Sequence, residues 1–252
     1  MDQLQLEPTL LRACEIWANA ADGGWTMRAE GLHAFGCEAG QRGFNQLFIT
    51  APDIDAAALG AMITPYEHGK FRVRLRDELH ESALPAIEAN GLVRHGGIPT
   101  MAMPLPSDLV SPETELRIQL VSDQKTLADH IRVVTAGFDW QPDTLGRIFT
   151  PRLLDEPDFA AWVGYEGDEP VASSQLVVHG SVAGLYYIAT MESARRKGYG
   201  EAITRAAMQE GIARGCDAVC LQASSLGRPV YERIGFQVIG EYVTYFPSVP
   251  DA

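Results

Sequence analysis

Positive charge is scarce in this sequence. Twenty lysines and arginines stand against 33 aspartates and glutamates, which gives a formal net charge of −13. Nucleic acids and anionic membranes are bound by basic surfaces, so we expect neither as a partner of this chain. The acidity is compatible with a cationic or amine ligand, but solubility alone explains it more simply.

Cysteines, clustered histidines and long apolar runs are few or missing. The four cysteines show no Cys-x-x-Cys spacing, so we expect reduced thiols and a cytoplasmic protein. The six histidines form neither a His-x-x-x-His pair nor a Cys/His cluster, so we predict no metal site. The sequence has no run of about 18 apolar residues, so we expect no membrane span. Hydrophobic residues, at 46%, suffice for a core in one large or two small domains.

One stretch of the second half combines a strand, a basic glycine loop and a helix. Residues 182–190 are apolar, β-branched and aromatic, which is typical of a strand, and residues 201–213 have a helical pattern. Between them lies Arg195-Arg196-Lys197-Gly198-Tyr199-Gly200. Helix N-termini have unpaired N–H groups and a positive dipole end, and glycines let phosphate oxygens approach the backbone. The stretch predicts a diphosphate site, with a tight strand-to-helix connection as the alternative.

The spacing of this loop distinguishes it from other phosphate-binding loops. Arg195-x-x-Gly198-x-Gly200 is neither the dinucleotide pattern Gly-x-Gly-x-x-Gly nor a Walker loop, which ends in Gly-Lys-Ser/Thr. It resembles the Arg/Gln-x-x-Gly-x-Gly/Ala pattern of the GNAT superfamily of acyl-CoA-dependent N-acetyltransferases. Downstream, Val230-Tyr231-Glu232-Arg233-Ile234-Gly235-Phe236 resembles the second signature of that superfamily. The resemblance extends over residues 115–246.

The predicted elements divide the chain into two halves. We predict an α/β protein with a mixed, mostly antiparallel central sheet flanked by helices, the GNAT fold that the resemblance implies. Three prolines between residues 104 and 112 indicate a linker. The predicted domains are residues 1–106, a linker at 107–114, and a catalytic domain at 115–252.

The first half resembles a degenerate copy of the second. Residues 85–92 align with residues 229–236 in the pattern Pro-h-h-Glu-x-x-Gly-h, where h is apolar, although this is also a common helix ending. In place of the glycine loop the first half has Ala51-Pro52-Asp53-Ile54-Asp55, whose carboxylates would repel a diphosphate. Ile87 stands where Tyr231 stands. We therefore expect this half not to bind CoA, and to shape the acceptor cleft or a subunit interface of a homodimer.

The resemblance also implies which residues hold the cosubstrate, acetyl-CoA. The backbone of residues 188–190 would pair with the pantetheine arm, and the N–H groups of residues 196–202 would bind the pyrophosphate. Ser224 stands where many members of the superfamily carry asparagine. The implied cofactor-binding residues are Ile188, Ala189, Thr190, Arg195, Arg196, Lys197, Gly198, Tyr199, Gly200, Glu201, Ala202 and Ser224.

Two residues are candidates for acid–base catalysis. Tyr231 is the implied general acid for the leaving CoA thiolate, with a buried core aromatic as the alternative. Glu192, just beyond the strand end, is the first candidate for the general base, with a solvated loop carboxylate as the alternative. The implied reaction transfers an acetyl group to a small-molecule or peptide primary amine by direct attack in a ternary complex. The alternative function is a non-catalytic acyl-CoA-binding or regulatory protein.

Cofactor stoichiometry tests the predicted difference between the halves. Because only the second half carries the basic glycine loop, we expect one acetyl-CoA per chain. Isothermal titration calorimetry of the intact protein should give a stoichiometry near one. A stoichiometry near two would contradict the prediction that the first half has lost this site.

Overall fold

The computed structural model describes residues 2–66, 70–106 and 108–248. These residues form seven α-helices and a single sheet of eleven strands. The strands are β1 (Gly24–Ala29), β2 (Leu32–Cys37), β3 (Gln46–Ile49), β4 (Arg72–Arg76), β5 (Leu92–Pro104), β6 (Arg117–Leu120), β7 (Phe159–Glu166), β8 (Glu169–His179), β9 (Val182–Thr190), β10 (Ala218–Gln222) and β11 (Gln237–Pro247). The helices are α1 (Gln3–Ala20), α2 (Ala56–Ile63), α3 (His80–Ala89), α4 (Gln124–Phe138), α5 (Pro142–Ile148), α6 (Tyr199–Ala213) and α7 (Arg228–Ile234).

The sheet is mixed and mostly antiparallel, which confirms the predicted fold class. Its strands follow the order β1-β2-β3-β4-β11-β5-β10-β9-β8-β7-β6. Two neighbouring pairs, β3 with β4 and β9 with β10, run parallel. The other neighbouring pairs are antiparallel. Each parallel pair is connected through a helix, α2 or α6, as parallel neighbours require.

The two halves of the chain exchange their last strands. Strand β11, from the end of the chain, pairs with β4 of the first half, and β5 of the first half pairs with β10 of the second. The two exchanged strands pair with each other from Leu92 and Pro247 to Ala102 and Gln237. The apolar pattern of the sequence predicts a strand only over residues 98–105. The long pairing with β11 explains why β5 begins earlier, at Leu92. The domain boundaries and the origin of the first half as a copy stay predictions.

Helices cover both faces of the sheet. On one face, α1, α4 and α5 enclose an apolar core that contains Phe48 from the first half and Val177 from the second. On the opposite face, α6 and α7 cover the second-half strands and α2 and α3 cover the first-half strands. Burial of such side chains contributes roughly 1.5–3 kcal/mol each, so the shared core holds the halves in one fixed arrangement.

Two helix starts differ from those that capping preferences predict. The sequence favours Asp53 and Ser122 as N-caps, but the carboxylates of Asp55 and Asp123 accept the capping hydrogen bonds, each at 2.8 Å. Asp53 has a φ of 55°, so it belongs to the turn before α2. Because a capping side chain must reach the N–H group three residues ahead, the turn geometry decides which of two nearby polar residues serves.

None of the helices in the described ranges is both long and apolar enough to cross a bilayer. Among the same residues, no three His, Cys, Asp or Glu side chains are grouped so that they could hold a metal ion.

Helix α1 carries a buried carboxylate against the sheet. Glu7 is 4% exposed, lies 3.3 Å from Nε of Arg76, and accepts a hydrogen bond from the Tyr242 hydroxyl at 3.1 Å. Burial raises the pKa of Glu7 to about 7, and the attraction of Arg76 opposes this rise only in part. The folded protein therefore holds a proton at Glu7 that the unfolded chain would release.

The raised pKa of Glu7 predicts a pH dependence of stability. The unfolded carboxylate ionises near 4.5, so between that pH and about 7 the folded state binds more protons than the unfolded state. This contribution to stability is complete below 4.5 and is lost as the pH rises to about 7, a change of at most ~3 kcal/mol. Glu7→Gln removes this titration. Between about pH 5 and 7 the parent loses stability as the pH rises and the variant does not, so the melting temperature of the variant should rise relative to that of the parent. A constant difference across this range would contradict the assignment.

Candidate active site

Strands β9 and β10 separate after a short parallel pairing. Their pairing runs from Val182 and Ala218 to Leu185 and Leu221. Strand β9 then continues along β8 to Thr190, whereas β10 ends at Gln222. The last five residues of β9 therefore have one backbone edge that β10 does not cover. An uncovered edge of this kind can pair with an extended ligand.

A β-bulge shapes the separating part of β9. Two residues, Tyr187 and Ile188, stand between the pairs Tyr186–Gln175 and Ala189–Ser173, and Tyr187 has a φ of 47°. The extra residue lets Tyr186 and Tyr187 both pack against Trp17 of α1, each with ring centroids 5.0 Å apart. The bulge thus turns the strand away from β10 and directs two tyrosines to one face.

The glycine loop leads from β9 into the start of α6. A short 3₁₀ turn at Glu192–Ala194 follows β9, and two positive φ angles, 66° at Arg196 and 80° at Gly198, bring the chain to Tyr199. Gly198 is the N-cap residue and supplies no side-chain hydrogen bond to the first turn. The first N–H groups of α6 thus have no capping side chain, as an anion site at a helix N-terminus requires.

Protein groups hold two of the three basic side chains of the loop. The ammonium of Lys197 donates to the Glu166 carboxylate at 2.7 and 3.0 Å, and the Tyr199 hydroxyl donates to the same group at 2.7 Å. These contacts lower the pKa of Glu166, mainly through Lys197, and raise that of Tyr199 to about 12. Nε of Arg195 donates to the Thr190 carbonyl at 3.4 Å. Arg196 is exposed.

A cleft of about 800 Å³ opens where β9 and β10 diverge. Both halves of the chain line it, and among the described lining residues there is no carboxylate and no histidine. Six aromatic side chains contribute much of its wall: Trp17, Phe138, Trp140, Tyr186, Tyr187 and Tyr231. The cleft can therefore take an organic molecule with apolar parts, as most small-molecule sites do.

Tyr231 of α7 lines this cleft. Its side chain is 7% exposed, and its ring contacts Phe236 edge-on at 5.9 Å. Gly227 makes room for it, since a Cβ there would lie 2.9 Å from the ring and 3.2 Å from the hydroxyl. Burial raises the pKa of Tyr231 above its ordinary value, so the phenol keeps its proton at neutral pH. A protonated hydroxyl at a cleft wall is the form that a general acid needs.

The structure brings some of the predicted site residues to the cleft and leaves others outside it. Ile188, Ser224 and Tyr231 line the cleft. The hydroxyl of Ser224 accepts the N–H of Gly227 at 3.1 Å, so it also fixes the turn before α7. Residues 189–190 and 195–202 continue along the open edge and the loop. Glu192 is exposed and is not among the residues that line the cleft, and its role as a base stays a prediction.

Sequence reasoning missed two arginines that line the cleft, Arg72 and Arg74 of β4. Arg74 is 3% exposed and donates to Gln46 Oε1 at 3.1 Å, and Arg72 donates to the Gly43 carbonyl at 3.0 Å. Burial lowers the pKa of both, and that of Arg72 falls to about 9. The signal in the sequence is Arg72-Val73-Arg74-Leu75-Arg76, which puts arginines on one face of a short strand.

Comparison with known protein families identifies the second half. The sequence model of the acetyltransferase (GNAT) family matches residues 126–236, a range that includes the glycine loop and Tyr231. This segment belongs to the GNAT family. The family and the fold support an acyl-CoA-dependent acetyltransferase in general, whereas the acceptor is not specified by either. No curated protein sequence matches the chain.

Solved structures show the same GNAT fold over nearly the whole chain. A GCN5-related N-acetyltransferase from Kribbella flavida superposes with a TM-score of 0.72 at 16% identity and covers 98% of this chain and 95% of its own. A GCN5-related N-acetyltransferase from Sphaerobacter thermophilus superposes with a TM-score of 0.58 at 18% identity, and the match covers 86% of this chain and 76% of the other. A functionally unknown conserved protein from Staphylococcus epidermidis superposes with a TM-score of 0.61 at 15% identity, and the match covers 90% of this chain and 95% of the other. At these identities the likeness concerns the fold alone.

Substitution of Gly200 tests the anion site at α6. A Cβ at Gly200 would have only Thr190 Oγ1 within 4 Å, at 3.4 Å, so Gly200→Asp should fold. Its carboxylate would lie at the helix start and repel a diphosphate, so calorimetry should find no acetyl-CoA binding. Gly200→Ala is the matched control and should lose much less affinity. Gly198 is less suited to this test because its φ of 80° strains any side chain. Unchanged affinity in Gly200→Asp would contradict the assignment of the loop.

Proposed function

We propose that this protein transfers the acetyl group of acetyl-CoA to a primary amine. The observation that carries the proposal is the course of β9, whose open edge leads from the cleft beside Tyr231 to the uncapped start of α6. A pantetheine arm has amide groups that can pair with the backbone of residues 188–190 as a short added strand. The N–H groups of residues 196–202 suit a pyrophosphate.

The space around the loop supports this assignment. A Cβ built at Gly198 would meet no atom within 4 Å, and one at Gly200 would meet only Thr190 Oγ1. Both glycines therefore face room that a diphosphate could fill. The exposed side chain of Arg196 adds positive charge close to that room. The residues present thus fit the diphosphate of CoA.

The chemistry is direct attack of the amine on the thioester. The amine nitrogen attacks the carbonyl carbon, the C–N bond forms, and the C–S bond breaks. A backbone N–H near the bulge holds the developing oxyanion, and one such donor is commonly worth about 10²–10³ in rate. Tyr231 gives its proton to the departing sulfur and regains one from water, while the nitrogen of the product loses one.

The acceptor nitrogen must be neutral to attack. No carboxylate or histidine is found among the described residues that line the cleft, whereas the buried Arg74 and the half-buried Arg72 do line it. Nearby positive charge lowers the pKa of a bound ammonium, so the cleft favours the neutral amine. Glu192 stays our prediction for a base that acts through water. The acceptor class, a small-molecule or peptide amine, and a homodimer stay part of the proposal.

A screen of amines tests the proposed function against the non-catalytic alternative. Free CoA release is followed with acetyl-CoA and a panel of primary amines, and a reaction without acceptor serves as the control. An enzyme releases CoA with at least one class of amine above that control. A protein that binds acetyl-CoA but releases none with any amine would be the non-catalytic binder.

Tyr231→Phe tests the general acid. The change removes one hydroxyl, which has no hydrogen-bond partner among the described residues, so stability should change little. General acid catalysis typically contributes about 10²–10⁴-fold, so kcat should fall by that factor while the KM for acetyl-CoA stays nearly constant. Tyr165→Phe is the matched control, since Tyr165 bonds Asp129 outside the cleft, and its kcat should be normal. An unchanged kcat in Tyr231→Phe, with chemistry rate-limiting, would exclude the acid role.

A further inference from the structure

Strand β4 carries three arginines on one face, but only one of them forms ion pairs with acidic side chains among the described residues. Arg72, Arg74 and Arg76 alternate with Val73 and Leu75, which belong to the core on the opposite face. Arg76 lies against Glu7 and Glu78. Among the described residues, neither Arg72 nor Arg74 forms an ion pair. Two of the three arginines, Arg72 and Arg74, therefore line the cleft without a protein anion.

Arg74 is held rigidly yet keeps one side of its guanidinium unpaired. Its Nη1 donates to Gln46, and its Cζ lies 4.7 Å from the ring centroid of Tyr242 and 5.5 Å from that of Phe48. Nε and Nη2 are buried and have no hydrogen-bond partner. These two atoms form one edge of the planar group, the edge that can bind both oxygens of a carboxylate at once. Nε of Arg72 is also buried without a partner.

The surroundings of this pair offer no compensating charge. The ionisable groups that interact with Arg72 and Arg74 are a thiol of α1, Cys14, and three phenols of β9 and β11, Tyr186, Tyr187 and Tyr242. Burial raises the pKa of each of these groups, so all are neutral near pH 7. A buried cation without a partner is strongly unfavourable, and a bound anion removes that penalty.

We propose that Arg74 and Arg72 bind the carboxylate of the acceptor, which is therefore an amino acid or a similar amino carboxylate with an apolar side chain. This inference rests on the proposed function, since the acceptor occupies the same cleft. The aromatic wall formed by Trp17, Phe138, Trp140 and Tyr187 fits the apolar part. A phosphate shares the anionic chemistry, but the free guanidinium edge of Arg74 and the apolar wall favour a carboxylate on an organic body.

Matched amines separate the carboxylate from the rest of the acceptor. The panel contains L-phenylalanine, L-phenylalaninamide, 2-phenylethylamine and the phosphonate analogue of phenylalanine, with the same series for leucine and methionine. CoA release should be fastest with the free amino acids at low concentration. A preference for the amides or simple amines would overturn the inference and leave the proposed function intact, and a preference for the phosphonates would assign the site to a phosphoryl group. Absence of both turnover and acetyl-CoA binding would instead refute the proposed function.

Variants of Arg74 test the residue itself. Arg74→Met keeps the apolar stem and should raise the KM for the best amino acid ~10–100-fold, the loss expected for a charged hydrogen-bond pair, while the KM for its amide stays constant. Arg74→Lys keeps the positive charge but lacks the two-atom edge, so its KM for the best amino acid should lie between the values for the parent and for Arg74→Met. Arg132→Met, at an exposed ion pair with Glu169, is the control and should behave as the parent. Equal increases for the acid and the amide would overturn the carboxylate role.

A binding measurement decides the case in which none of these amines is acetylated. The probe is 3-phenylpropionate, with 3-phenylpropionamide as its neutral match. The propionate should raise the melting temperature of the parent protein and not that of Arg74→Met, and the amide should affect neither. Without ligand, Arg74→Met should melt at or above the parent's temperature, because the change removes an unpaired buried charge. No shift with the propionate, or a large destabilisation by Arg74→Met, would overturn the inference.

Discussion

The exchange of β5 and β11 between the two halves is the constraint on which the rest of the structure depends. Without its exchanged neighbour, β4 or β10 would present a row of unpaired N–H and C=O groups in the middle of the protein. Because the halves satisfy each other's backbone, neither sheet is complete alone. The exchange also fixes the distance between β4 and β9, which is why side chains from distant parts of the chain can form one cleft.

The second constraint is the divergence of two parallel strands. A parallel pair that stayed in register would leave no backbone edge for a ligand. Here the bulge at Tyr187 bends β9, and the close approach of α4 holds it, since a Cβ at Gly137 would lie 2.5 Å from that of Ala189. The open edge is therefore built into the rigid sheet and does not depend on a mobile segment. In enzymes, hydrogen-bond donors that are held in place before the substrate binds supply much of the electrostatic stabilisation of the transition state.

The sequence alone predicted those features that local chemistry specifies. The strand, the glycine loop and α6 follow from periodicity and from glycine spacing. Tyr231 was singled out by the resemblance to the second GNAT signature, and the structure shows that it lines the cleft. The exchange of strands could not be predicted, because the apolar alternation in β11 is the same whether its neighbour is β10 of its own half or β4 of the other. The caps at Asp55 and Asp123 depended on turn geometry. Arg72 and Arg74 were visible as a pattern, but only the fold shows that their face lines the cleft.

The overall charge and the charge of the cleft have opposite signs, and distance decides which matters to an acceptor. A net charge of −13 is spread over the surface, where salt screens it over about 8 Å. Arg74 acts at contact distance and from a site that water scarcely reaches, so its interaction with a bound group is far stronger. The acidic surface therefore says little about the acceptor, and composition misleads if it is used to infer one. A buried cation favours an anionic group on whatever molecule occupies the cleft, and an amino carboxylate, as proposed above, meets that requirement.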